Sequence, residues 1–507
     1  MTLVWLIGIL MGGGLLALLA GRWSKTLPRW ISLLSLAIGL FLVIKLCLKH
    51  YRPTNMISSY VWMLDFRKQW IPSFGISFHL AIDGLNLILL VLTFFLGTLA
   101  VLCSWKEIKE RSGFFHFNLL WALAGISGVF MAMDLFLFYF FWEVMLIPMY
   151  FLIGIWGSEN REYAAYKFFI FTQASGLLMF LAILGLYLIH GSSTGVYTFN
   201  YFELLRTQLP AGMEHWLLLG FMIAFVVKLP IVPFHTWLPD AHGEAPTAGS
   251  LILAGLLLKT GAYGMLRLVL PLFPMAAHDI ASWAMLAGVI GIIYGAVMAY
   301  SQTDLKRLVA YTSVSHMGFV ILGVFSFNDL AWQGVLMQLV THAVSTGALF
   351  IMAGMLKERL HTRNINKMGG LWTAMPRMGG LGLVFAMASL GLPGLGNFLA
   401  EFLILLGAFK ANIWMTVVAT GGLIFSAVYS LRIVQKVFLG DTEVKEPVND
   451  FSVREFIIMA SLTIVIVWLG LYAQPVINMF KPAADNIQET SRIGIAQESA
   501  GLKPANK

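Results

Sequence analysis

The chain has 507 residues, 59% of them apolar and only 11% charged, with 33 Lys and Arg against 25 Asp and Glu and a formal net charge of +8. A soluble chain of this length would carry roughly 127 charged residues, so a water-soluble enzyme, a disordered chain and a nucleic-acid-binding domain are excluded; two cysteines exclude a disulfide scaffold. What remains is a multi-spanning membrane protein, whose surplus of Lys and Arg belongs to loops on the cytoplasmic side.

A bilayer core takes about 20 apolar residues per helix. Runs of that order occupy residues 2–20, 30–48, 81–104, 114–132, 134–156, 165–190, 215–237, 250–271, 281–300, 308–326, 331–356, 379–408, 412–438 and 453–475. They are continuous rather than alternating, which predicts helices and not barrel strands. The expected fold class is an all-α polytopic membrane protein with about 14 transmembrane helices. The opening MTLVWLIGILMGGGLLALLA has no basic leader and no cleavage site, and reads as a retained first span. Residues 481–507 read as a solvent-exposed, partly disordered tail. Cys47 and Cys103 stand alone in or beside apolar runs, without the clustered thiols that zinc or an iron–sulfur centre needs.

Most Lys and Arg follow the odd-numbered spans: Arg22, Lys25 and Arg29; Lys106, Lys109 and Arg111; Arg161 and Lys167; Lys306 and Arg307; then the stretches 357–377 and 432–454, which include Lys445. Fewer follow the even-numbered ones, among them Lys45, Arg52, Arg206, Arg267 and Lys410. The odd loops are therefore expected on the cytoplasmic side, with both termini facing the other way.

Four charges stand inside apolar runs: Glu143 in FFWEVMLIP, Lys228 in FVVKLPIVPFH, Lys259 in GLLLKTGAYG and Glu401 in GNFLAEFLIL. Each costs about 2.5–3.5 kcal/mol at a helix centre on insertion scales, unless paired, neutralised or wetted. A buried ion pair that only fixes packing, or a Lys228 that snorkels, is the plain alternative. Three histidines join them: His235, His316 and His342. Histidine is the side chain best suited to pass a proton near neutral pH, although a lone one is commonly a packing residue. No repeated His spacing suggests bis-His haem. Asp134, nine residues before Glu143, points to the opposite helix face and reads as a cap.

Pro230 and Pro233 interrupt one span; Pro393, among Gly391, Gly394 and Gly396, interrupts another. Proline frees the carbonyl four residues earlier, here those of Val226, Leu229 and Ser389. Irregular backbone at membrane depth needs protein or water beside it. Two interrupted helices, each with a charge, are a pointer to a transport pathway built from two repeats. They are five spans apart, and an odd-numbered repeat must enter the membrane inverted. The expected organisation is three spans over 1–113, a first five-helix repeat over 114–271, an inverted second one over 272–438, and a last span with the tail over 439–507. Each repeat would supply a half-channel, with Lys259 at their junction.

VVKLPIVPFHTWLPDAHGEAPTAGSLILAGLLLKTGAYG, QTDLKRLVAYTSVSHMGFVILG and LGLPGLGNFLAEF resemble the antiporter-like, proton-conducting membrane subunits of respiratory complex I, and FFWEVMLIPMYFLIGIWG with CSWKEIKER and WIPSFGISFHLAIDGLN is similar to the M (chain 4) branch. The likeness extends over nearly the whole chain. It implies that Glu143 pairs with Lys228, that Lys259 is the central proton carrier with His316 and His342 bridging onward, and that Glu401 is the terminal site; His235 is a weaker candidate. It also implies a bacterial inner (plasma) membrane with both termini periplasmic, neighbouring antiporter-like subunits as partners, protons and water as cargo, and quinone reduction elsewhere as the driving event. Flavin, iron–sulfur clusters and quinone are then expected in partner subunits and no cofactor in this chain. Subunits of multisubunit cation/proton antiporters and of membrane-bound hydrogenases share the same lysines and stand as the alternative; a scaffold whose charges only lock helices is a further one.

Overall fold

Uninterrupted apolar runs fold into uninterrupted helices, because in hydrocarbon each backbone group must find its partner within its own segment. The computed structural model describes residues 1–50, 62–210, 212–441 and 448–499. Among these, twelve helices are long and apolar enough to cross a membrane. The other two expected spans are the interrupted ones, Met213–Lys228 with Trp237–Glu244 and Pro376–Leu390 with Gly396–Ala411. Arg52, Lys445 and residues 500–507 lie outside the described residues.

At the first interruption the backbone repairs itself locally. Ile231 N donates to the Val226 carbonyl that Pro230 frees (2.9 Å), and Trp237 Nε1 donates to Val227 O (2.9 Å). At the second, Gly391 and Gly394 take left-handed φ values of 84° and 92°, which only glycine adopts without strain. Leu392 N reaches back to Met387 O (3.0 Å), and Ser426 Oγ covers Leu390 O (3.1 Å).

The helices sort by what surrounds them. Thr247–Leu272, Leu305–Val324 and Asp329–Leu360 are almost wholly enclosed by protein, whereas Leu27–Lys49 and Val453–Leu471 keep about a third of their span covered and face outward. The three enclosed helices carry Lys259, His316 and His342. Close approach there depends on small residues. Gly288 and Gly318 meet where Ala281–Ser301 crosses Leu305–Val324, and a Cβ on Gly318 would sit 2.6 Å from Gly288 O. Gly318→Val is expected to lower the thermal stability of the assembled protein by about 1–3 kcal/mol or more, as overpacking does. Gly421→Val, in open space, should leave the melting curve unchanged.

Two elements lie outside the expected all-helical plan. Leu64–Ile71 and Ile76–Ile82 form an antiparallel hairpin with Leu64 opposite Ile82, which delivers the chain to Asp83 at the start of Gly84–Glu107. The tail reading is corrected: Gln474–Ser499 is a helix, and Phe480, Ala483, Ala484, Ile487 and Ser491 are buried along one side of it. It crosses the bundle end so closely that Met479 O would collide with any Cβ on Gly84. Hairpin and terminal helix share the face opposite the basic loops.

Candidate functional site

Arg267 and Lys306, read above as loop residues, are buried in helices, each 1% exposed. This is a correction with a plain cause. Both lie near the ends of apolar runs, and each has a partner distant in sequence. Arg267 pairs with Asp83. Lys306 Nζ donates to Ala245 O (2.7 Å) and Ser250 Oγ (3.3 Å).

Lys259 stands at mid-helix between two π-helical turns, Leu253–Leu257 and Met265–Val269. A π turn rotates the following side chains relative to an α-helix and recurs at functional positions. Lys259 is fully buried; its Nζ donates to Ala254 O (2.8 Å) and lies 2.7 Å from His342 Nδ1. The His342 ring lies 5.6 Å from that of His316, centroid to centroid. His316 Nδ1 lies 2.8 Å from Glu401 Oε1, and Gln338 Nε2 donates to the same oxygen (3.3 Å). Ser389 Oγ and Tyr429 Oη flank His316 Nε2 at 3.4 and 3.3 Å. Lys259, His342, His316 and Glu401 thus form one line, none of them more than 1% exposed.

Toward the basic face the line continues through a residue the sequence reading missed. His242 is fully buried, lies flat on Phe350 (4.4 Å between ring centroids), leaves both ring nitrogens without a hydrogen bond, and is within electrostatic reach of both Lys306 and Lys259. Its carbonyl accepts from Ser250 Oγ (3.1 Å), the hydroxyl that Lys306 also touches. Arg363 closes this end by binding Gly243 O, Glu244 and Asp304.

The expected Glu143–Lys228 ion pair is not made. Lys228 Nζ has no hydrogen-bond partner and sits over the Trp142 and Phe168 rings, 5.0 and 5.7 Å from their centroids. Glu143 Oε1 also lacks a partner and faces Gly176 on the neighbouring Arg161–Thr194 helix. Aromatic rings hold the cation where a carboxylate was expected. His235 lies apart from the line, packed on Tyr294 (5.0 Å) with Nδ1 unpartnered. Asp134 is a cap, as its position suggests: it accepts from Phe136 N and Leu137 N and from Ser77 N and Oγ.

An arrangement of donors and acceptors that alternate between lysine, histidine and carboxylate can pass a proton and holds no ligand set for a metal among the described residues. Comparison with known proteins agrees on the kind of chain. The family model for "NADH:quinone oxidoreductase/Mrp antiporter, TM" matches residues 132–426. A protein of Pseudomonas aeruginosa named NADH-quinone oxidoreductase subunit M is 52% identical over 96% of this chain and 98% of its own length. One of the same name from Escherichia coli K12 is 51% identical over the same shares. A chain in the structure of respiratory complex I from Thermus thermophilus with bound NADH superposes with a TM-score of 0.86 at 30% identity, over 97% of this chain and all of that one.

Proposed function

The chain belongs to the NADH:quinone oxidoreductase/Mrp antiporter family of membrane subunits, and we propose that the buried line from Lys306 to Glu401 is the route by which it moves protons. It is a proton-translocating membrane subunit of NADH:quinone oxidoreductase, complex I, and its identity of 51–52% to subunit M proteins over nearly all its length favours that reading over the antiporter and hydrogenase alternatives.

The observation that carries the route is the pair of short contacts Lys259–His342 and His316–Glu401 within an enclosed core. A neutral Lys259 takes a proton from the His242 side. Charged, it donates to His342 Nδ1. Histidine accepts at one ring nitrogen and releases at the other, so the proton passes to His316 and then to Glu401. Lys228, unbound by Glu143, repels the charge on Lys259; swinging onto Glu143 it relieves that repulsion. The pair is thereby the switch through which quinone reduction in partner subunits acts here. Flavin, iron–sulfur clusters and quinone belong to those partners, and neighbouring antiporter-like subunits flank this one. The basic face is cytoplasmic and both termini are periplasmic. Residues 114–271 and 272–438 act as two inverted halves meeting at Lys259.

Glu401→Gln tests the route. The amide still holds His316 but no longer takes the proton, so NADH-driven proton transfer through this chain is expected to fall roughly tenfold, below the usual loss for removing a positioned proton-transfer group. Undiminished transport by an assembled Glu401→Gln complex would remove Glu401 from the route.

A further inference from the structure

A cleft of about 560 Å³ opens on the outer side of the bundle, where the packed helices Ala281–Ser301 and Ile413–Ile433 end on the side of the basic loops. Tyr300, Arg432, Gln435 and Lys436 form its polar lining, Val428 and Leu431 belong to its apolar wall, and no Asp or Glu lines it among the described residues. The Arg432 guanidinium lies 4.5 Å from the centre of the Tyr300 ring and donates to Tyr300 O. That contact holds the fork in place and leaves most of its five donors free. Lys436 lies four residues on, hence on the same side of the helix, and is exposed in the π turn Val434–Phe438. On the same face Arg307, Arg359 and Arg363 each have a carboxylate partner, whereas Arg432 and Lys436 have none among the described residues.

Two exposed apolar stripes run down the bundle from this cleft, one from Leu431 through Ile424 to Trp414, the other from Tyr300 through Ile290 to Trp283. At 1.5 Å per residue the first spans about 26 Å, close to the thickness of the hydrocarbon core. Tyr300 and the two tryptophans then stand at its opposite edges, where aromatic belts meet the headgroups. This is a surface built for lipid, with two uncompensated cations at its rim. We propose that the cleft binds a phospholipid of net negative charge, its phosphate on Arg432 and Lys436 and its acyl chains along the stripe below Leu431. The planar guanidinium takes phosphate through two parallel N–H bonds and the ammonium adds a point charge. Free phosphate would use the cations but leave the apolar wall bare. The site lies outside the proton route, and the inference stands apart from it.

The test uses the whole complex in phosphatidylcholine liposomes doped with phosphatidylglycerol that carries a photoactivatable diazirine at the head of one acyl chain. Peptide mapping after illumination reads the label on residues 424–436. The native complex is expected to take roughly tenfold more label there than from phosphatidylcholine bearing the same diazirine. Lys436→Gln should lower the phosphatidylglycerol label about fivefold, the share of one cation at an anionic surface, and Arg432→Gln with Lys436→Gln roughly thirtyfold. Lys367→Gln, an exposed cation outside the cleft, should change nothing, and excess inorganic phosphate should not compete. Assembly of each variant is checked by NADH oxidation; should the double variant not assemble, Lys436→Gln decides alone. Equal labelling by the two lipids, undiminished labelling of an assembled variant, displacement by inorganic phosphate, or no label in the native complex because another protein covers the cleft each overturn the proposal.

Discussion

A Lys259→Met complex is expected to assemble and to oxidise NADH with an artificial acceptor at the native rate, while proton transfer through this chain falls about a hundredfold, the scale for removing a positioned proton-transfer group. Methionine matches the unbranched stem and removes a buried charge, so packing is spared. What is lost is the group that joins His242 on one side to His342 on the other. Lys259→Arg separates carriage from electrostatics. Arginine keeps the charge but does not release a proton, so it should fail as completely as methionine. The check is NADH-driven acidification of inverted vesicles, with the proton-to-electron ratio measured at matched electron flux. A native ratio in Lys259→Arg would make the residue a fixed charge rather than a carrier.

The sequence shows what short-range physics controls. Apolar run length marks the spans, Pro230, Pro233 and Pro393 mark the interruptions, and an uncompensated charge inside a run marks Glu143, Lys228, Lys259 and Glu401. It hides what depends on distant partners. Arg267 looks like a loop cation until Asp83, 184 residues away in the chain, is placed beside it. His242 escapes because it lies in a short polar stretch between runs, and only folding brings it between two lysines. The terminal helix was legible in principle: Phe480, Ala483, Ala484, Ile487 and Ser491 recur at a helical spacing, but a polar composition obscures a stripe that narrow. The Glu143–Lys228 contact was not legible at all. Resemblance supplies the residue types, while the rotamer that puts Lys228 on Trp142 instead is a matter of packing.

That separation of Glu143 and Lys228 sets the last expectation. Two unit charges brought to about 4 Å attract by roughly 4 kcal/mol at an effective dielectric of 20. Moving one charge against 100 mV costs about 2.3 kcal/mol. An interaction of this size, formed and broken once per cycle, is enough to lift one proton over such a potential. Glu143→Ala leaves Lys228 over the aromatic rings with no carboxylate to swing to. Coupled transport against about 100 mV should then fall roughly thirtyfold, the rate factor for some 2 kcal/mol. Glu143→Asp keeps the charge on a shorter stem and should lose much less. The potential itself is the diagnostic readout. With the electrical gradient collapsed by a potassium ionophore, Glu143→Ala should recover most of its transport, because the missing attraction is needed only to work against the field. A broken proton wire would not recover under the same conditions. Transport by Glu143→Ala that is as fast as native at full potential would show that the Lys228 switch draws its energy from another charge.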